Sequence, residues 1–150
     1  MMDQIDRRIL AELQRDATVP IAQLAERVGL SQTPCWKRVQ KLEANGIIRA
    51  RVAVVDALKV GLGLTVFMEV EALDHTADWR ERFLTTVDAI PEVIEVLRLG
   101  GTTDYLLRVT VADMPGYDTI YRRLTEAVPV RTVTSKFVME TLRHRSGLPV

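Results

Sequence analysis

Apolar positions in the first third of the chain recur at helical spacing. Ile5, Ile9, Leu10 and Leu13 fall three and four apart and predict one buried stripe on a helix of about 12 residues. The stretch DATVP breaks that helix, because Pro20 cannot continue it but suits the first turn of the next. In IAQLAERV the inward positions are Ile21, Leu24, Ala25 and Val28, and Gly29 fits the C-terminal cap. Ser31 or Thr33 can cap a third helix, with Pro34 in its first turn and Cys35, Val39 and Leu42 as its buried stripe. Asn45-Gly46 ends it, and the β-branched content of IIRARVAVVD predicts a strand, or wing.

Beyond the connection DALKVGLG the period changes from helical to alternating. LTVFMEVEA alternates as a strand, with Val66, Met68 and Val70 on one face and Phe67, Glu69 and Glu71 on the other. ADWRERFLTTVDAI predicts an amphipathic helix that buries Trp79, Phe83, Leu84 and Val87. VIEVLRLGG and TDYLLRVTVA predict a hairpin. MPGYDTIYRRLTEAV predicts a second helix with Tyr117, Ile120, Tyr121 and Leu124 inward, and VRTVTSKFVMETLR a last strand. The order β-α-β-β-α-β is the ferredoxin-like arrangement, an antiparallel sheet with both helices on one face. The fold class is therefore α+β: a winged helix-turn-helix over residues 1–60, its motif at about 21–40, and a βαββαβ domain over 61–150. The uncovered sheet face would show Phe67 and Leu106 to solvent, which predicts association with further copies of the chain.

Composition narrows the class. A chain of 150 residues with 47% hydrophobic and 27% charged residues describes an ordered globular protein. No apolar run reaches the roughly 18 residues of a membrane span, and the N-terminus has no secretion signal, so a cytoplasmic protein is expected. The zero net charge hides an asymmetry: residues 1–60 carry a net +3 and residues 61–150 a net −3. Within 37–51 five basic residues (Lys37, Arg38, Lys41, Arg49 and Arg51) stand against one acid, Glu43.

With Cys35, Val39 and Leu42 turned inward, Gln32, Thr33, Trp36, Lys37, Arg38 and Lys41 are left outward or on the rim. Lysine and arginine neutralise phosphates, while glutamine and arginine can form paired hydrogen bonds with base edges. Three short helices with a tight turn before the third are the geometry that sets such a helix in the major groove of double-stranded DNA.

The stretches MDQIDRRILAELQRDATVPIAQLAERVGLSQTPCWKRVQKLEANGII, GLGLTVFMEVE and GGTTDYLLRVTVADMPGYDTIYRRL, in that order, resemble the Lrp/AsnC family of transcriptional regulators over essentially the whole chain. The pair TPCWKR and GLGLTVF is similar to a bacterial subgroup that includes cysteine-responsive regulators. The resemblance implies a homodimer that assembles further, to octamers, and an amino-acid effector, with no other cofactor and no enzymatic activity. Together with the outward face of the third helix, it predicts DNA contacts from Ser31, Gln32, Thr33, Trp36, Lys37, Arg38, Lys41 and Arg51. It places Gly101, Thr103, Asp104 and Tyr105 in a G-x-x-D-Y loop that lines an effector pocket between dimers, with Thr134 and Ser135 of the last strand approaching the same pocket. A glycine loop offers N–H groups to a carboxylate, and an aspartate suits an ammonium.

The chain departs from the family at three places. Arg51 replaces a common tyrosine, Thr102 and Thr103 fill loop positions that are often acidic or aromatic, and HRSGLPV replaces a threonine-rich ending. A sulfur amino acid is the effector that the subgroup resemblance suggests.

Plainer roles stand beside these. The basic run could be a solvated helix face, Trp36 a packing residue, Asp104 a turn residue and Tyr105 part of a sheet face. Cys35, at helical spacing with Val39 and Leu42, reads as a buried structural thiol and not a redox centre. His75 and His144 have no ligand-spaced partners for a metal, Gly100-Gly101 lacks the lysine of a P-loop, and no hydrolytic triad is present. A small ferredoxin-like ligand-binding protein or enzyme would have only Asp104 and Tyr105 to work with and would leave the basic N-terminal half unexplained. RNA binding by the sheet would need stacking aromatics on the middle strands, which offer only Tyr105.

Overall fold

A computed structural model describes residues 2–150. The chain forms two compact units, Met1–Val54 with Leu142–Val150, and Val55–Thr141.

The first unit holds three helices: α1 (Gln4–Arg15), α2 (Ile21–Val28) and α3 (Gln32–Ala44). Their stripes meet in one core of Ile9, Leu10, Val19, Leu24, Ala25, Val28, Cys35, Val39 and Leu42. Asp3 caps α1 and forms a reciprocal capping box with Asp6, which satisfies two orphan N–H groups at that end. Helices α2 and α3 both close on glycine in the left-handed region, Gly29 at φ 73° and Gly46 at φ 69°. In each case the next residue donates back five positions, Leu30 to Ala25 O at 2.9 Å and Ile47 to Leu42 O at 2.9 Å. Such paired closures put a residue at positive φ, where glycine has no Cβ penalty and is strongly favoured.

Residues 50–56 run without strand pairing, so the strand predicted over IIRARVAVVD does not form within the chain. The residues have the propensity, but a strand needs a partner ladder. Val52, Val54 and Val55 stay 78%, 82% and 63% exposed. The C-terminal tail lies against α1, where the Gln14 amide exchanges two hydrogen bonds with the Leu148 backbone, at 3.1 and 2.6 Å.

The second unit is β1 (Leu64–Ala72), α4 (Ala77–Asp88), β2 (Val93–Arg98), β3 (Tyr105–Val111), α5 (Met114–Ala127) and β4 (Val130–Phe137), after one 3₁₀ turn at Leu58–Val60. The antiparallel sheet has the order β2-β3-β1-β4, as the split βαβ connectivity requires. Strand β1 alternates as read, with Val66, Met68 and Val70 buried beneath the helices. The rings of Trp79, Phe83 and Tyr105 stack in sequence, with centroids 5.1 Å and 4.6 Å apart, and the Trp79 indole N–H donates to Pro129 O at 2.6 Å. Leu84 and Tyr121, expected inward, are 40% and 36% exposed. Both fall at the edge of their stripes, where 3.6 residues per turn carries a side chain out of the core.

On the far face the register brings Leu97 beside Leu106, and Phe67 beside Arg108 and Lys136. Phe67 and Leu106 are half-buried there rather than fully open, because flanking side chains such as Lys136 and Glu69, which pair, lie across the sheet surface.

Phe83 is fully buried between Trp79 and Tyr105. Phe83→Ala is expected to lower unfolding free energy by about 3–5 kcal/mol, read from urea denaturation.

Candidate nucleic-acid interface and effector pocket

Helix α3 decides the first site. At about 100° per residue, burial of Cys35, Val39 and Leu42 sends Thr33, Lys37 and Gln40 to the opposite side, with Trp36 on one flank and Lys41 on the other. Trp36 is 52% exposed, so it is no core residue of this unit. Ser31 is the N-cap, yet its side chain makes no capping hydrogen bond, and Gln32 and Thr33 are exposed in the first turn. Lys37 and Lys41 are exposed and join no ion pair among the described residues. The face thus offers two unpartnered ammonium groups beside polar and aromatic side chains.

The two arginines in the predicted set are engaged inside the protein. Arg38 donates to Asp3 and to Asp6, both at 2.7 Å, and so ties α3 to the capping box of α1. Arg51 donates to Glu43 at 2.8 Å. Gln40 was absent from the predicted set although it shares the outward face, and its spacing of four from Trp36 and three from Lys37 was the available signal. Further back, Arg8 donates to Val28 O at 2.9 Å, closing the end of α2.

Burial pushes the Cys35 thiol up, which holds it neutral and unreactive. The Asp3 carboxyl is held below its ordinary value by the hydrogen bond from the Asp6 N–H first and by Arg38 second.

The second site lies at one end of the sheet. The loop from β2 to β3 turns through exposed Gly101 and half-buried Thr103, and Leu99 N–H donates to Asp104 O at 2.8 Å. Asp104 Oδ2 accepts from Ala72 N–H at 2.8 Å, while its Oδ1 stands 4.0 Å from His75 Nδ1. Tyr105 is buried, its ring in the aromatic stack. Asp104 and Tyr105 line a cleft of about 260 Å³ with His75, Trp79, Arg80 and Arg98. Asp74 and Thr76 border the same cleft, and hydrogen bonds from the Thr76 hydroxyl and N–H hold the Asp74 carboxyl down. The cleft therefore presents both signs of charge, as a zwitterion would need.

Thr134 and Ser135 go to opposite faces of β4. Ser135 faces the helices and is hydrogen-bonded to the Tyr117 hydroxyl, while Thr134 is exposed on the far face. Neither borders the cleft. Sequence reasoning missed His75, Arg80 and Arg98, which come from two segments that meet only in the folded unit. Among the described residues no cluster of three or more histidine, cysteine or carboxylate side chains could hold a metal ion. Among the described residues no helix is long and apolar enough to cross a membrane.

The chain is similar to known proteins over nearly its whole length. Residues 2–49 match a winged helix-turn-helix DNA-binding model, and residues 65–148 match the Lrp/AsnC ligand binding domain. The DNA-binding transcriptional activator DecR of Escherichia coli strain K12 is 47% identical over 151 residues, covering 100% of this chain and 99% of that protein. A glutamate uptake regulatory protein of Zymomonas mobilis is 44% identical, covering 99% of this chain and 91% of its own. Among solved structures, an AsnC family transcriptional regulator from Agrobacterium tumefaciens superimposes with a TM-score of 0.93 at 46% identity, covering 99% and 97% of the two chains. The complex of the regulator NMB0573 from Neisseria meningitidis with L-methionine gives 0.94 at 35% identity, with the same coverage.

The Asp3 shift has a consequence for acid stability. A depressed carboxyl stabilises the fold above its ordinary value of 3.8, and that contribution is lost as the pH falls through its lower folded value. Asp3→Asn is expected to lower the melting temperature at pH 7 and to flatten its decline below about pH 4, read by calorimetry across a pH series.

Proposed function

The chain belongs to the Lrp/AsnC family of transcriptional regulators and is a DNA-binding regulator of that type with an amino-acid effector domain, and we propose that α3 enters the major groove with Thr33, Trp36, Lys37 and Gln40 toward the DNA. The carrying observation is the outward face of α3, where Lys37 and Lys41 have no ion-pair partner among the described residues while the opposite stripe is fully buried. Ser31, Gln32 and Lys41 contact the backbone from the ends of the helix. Arg38 serves chiefly to hold α3 against α1, and Arg51 approaches phosphate from the segment after the helix.

The effector is an α-amino acid taken at the cleft around Asp104. Its carboxylate faces Arg80 and Arg98, and its ammonium faces the free oxygen of Asp104. Gly101 and Thr103 shape the loop, and Tyr105 forms the floor. Thr134 and Ser135 act on the pocket from a distance, Ser135 through Tyr117. Sulfur amino acids are the first candidates, and L-methionine is the ligand in the Neisseria meningitidis complex. The effector can shift the DNA-binding equilibrium only through different affinities for its conformations or assemblies.

The working form is a homodimer, assembling further to octamers. Exposed Val52, Val54, Val55 and Leu97 supply apolar surface for those contacts. The protein acts in the cytoplasm, catalyses no reaction, and uses no metal or prosthetic group.

A duplex enriched by the protein from a random pool tests this reading, measured against a scrambled duplex over a salt series. Lys37→Ala/Lys41→Ala is expected to weaken both and to flatten the log–log salt slope by about one per lost phosphate contact, about four in a dimer. Unchanged affinity in a folded variant would show that α3 is not the DNA-contacting helix. Each amino acid is then added in turn. The effector is expected to move the binding curve of the wild type and to lose that effect, with basal DNA affinity retained, in Asp104→Asn.

A further inference from the structure

Glu43 is the one acid among residues 37–51, and it stands on the flank of α3 that carries Trp36 and Gln40. A carboxylate beside a phosphate backbone opposes binding, and at a separation of a few ångströms salt screens it little. Both of its oxygens are nonetheless in use. Oε2 accepts from Gln40 Nε2 at 3.1 Å, and Oε1 accepts from the Arg51 guanidinium at 2.8 Å.

The two partners come from different places. Gln40 is one helical turn back on the outward face. Arg51 lies in the stretch that has no strand partner, and among the described residues only Glu43 bonds its guanidinium. The chemistry of the contact also sets which way the Gln40 amide points. An ionised carboxylate only accepts, so it must take an amide N–H, and the Gln40 carbonyl oxygen and second N–H are turned away from it. That leaves an adjacent acceptor and donor on the outward face, the pair that matches the N6 and N7 edge of adenine.

We propose that Glu43 is a positioning residue for DNA reading: it holds the Gln40 amide in a base-reading orientation and Arg51 near the backbone, at a cost in electrostatic attraction. This rests on α3 being the helix that meets DNA.

The charge and the positioning roles predict opposite results. Glu43→Ala removes a negative charge, so a role in charge alone tightens binding to selected and scrambled duplexes together and leaves their ratio unchanged. Positioning predicts that the ratio falls about tenfold, while affinity for the scrambled duplex holds or rises. Glu43→Gln, which keeps one acceptor oxygen, is expected to fall between. Melting temperature and oligomeric state confirm that each variant is folded, and Lys37→Ala/Lys41→Ala is run beside them. A ratio unchanged or raised in Glu43→Ala, with binding weakened in the double-lysine variant, overturns the positioning role alone. No effect in any variant overturns the assignment of α3 itself.

Discussion

Burial of Cys35, Val39 and Leu42 is the constraint on which the DNA-binding unit depends. Those three side chains complete the core that α1 and α2 begin, and they fix the rotation of α3 about its own axis. A helix has no freedom to turn one face without turning the other, so the polar residues of α3 are presented as a consequence of packing. The glycine closures at Gly29 and Gly46 set where α2 and α3 stop, and the Arg38 pairs with Asp3 and Asp6 fix the approach of α3 to α1. Apolar burial on one side and charge pairing at the rim together hold the outward face of α3 in place.

The second unit solves a different problem with the same economy. Its sheet is covered on one face only, so alternate residues on β1 and β3 either join the helices or stay on the far surface. Tyr105 belongs to the covered face and carries the cleft wall with it, because its ring is held in the stack with Trp79 and Phe83. Asp104, one residue earlier, is held by the Ala72 N–H, which leaves one carboxylate oxygen toward His75. A rigid aromatic floor under a charged rim suits a small zwitterion, whose binding energy comes from fixed charges that need no rearrangement.

Within α3 charge has two uses. Among the described residues Lys37 and Lys41 are left without ion-pair partners, while Arg38, Arg51 and the lone acid Glu43 are spent on one another and on α1. In the proposed reading, attraction to DNA and the geometry of that attraction are divided between different residues of a short segment. Lysine suits the first role as a mobile point charge, and arginine the second through its planar fork.

Hydrophobic period determined the helices and the strands that pair, most of each inward stripe though not Leu84 and Tyr121 at the stripe edges, the alternation of β1 and the split βαβ topology. These follow from repeats of 3.6 and 2 residues, which neighbours along the chain carry between them. It also set aside Cys35 as structural, because its spacing with Val39 and Leu42 was visible. Only the tertiary structure decided which charges were free. Arg38 is claimed by carboxylates more than thirty positions away, Ser135 by Tyr117 from another element, and Arg80 and Arg98 meet Asp104 only when the sheet closes. The segment after α3 has strand composition but lies unpaired, since pairing depends on a partner and not on propensity. Local repetition is written in the order of residues, whereas the pairing of one charge with another depends on distances that exist only once the chain has folded.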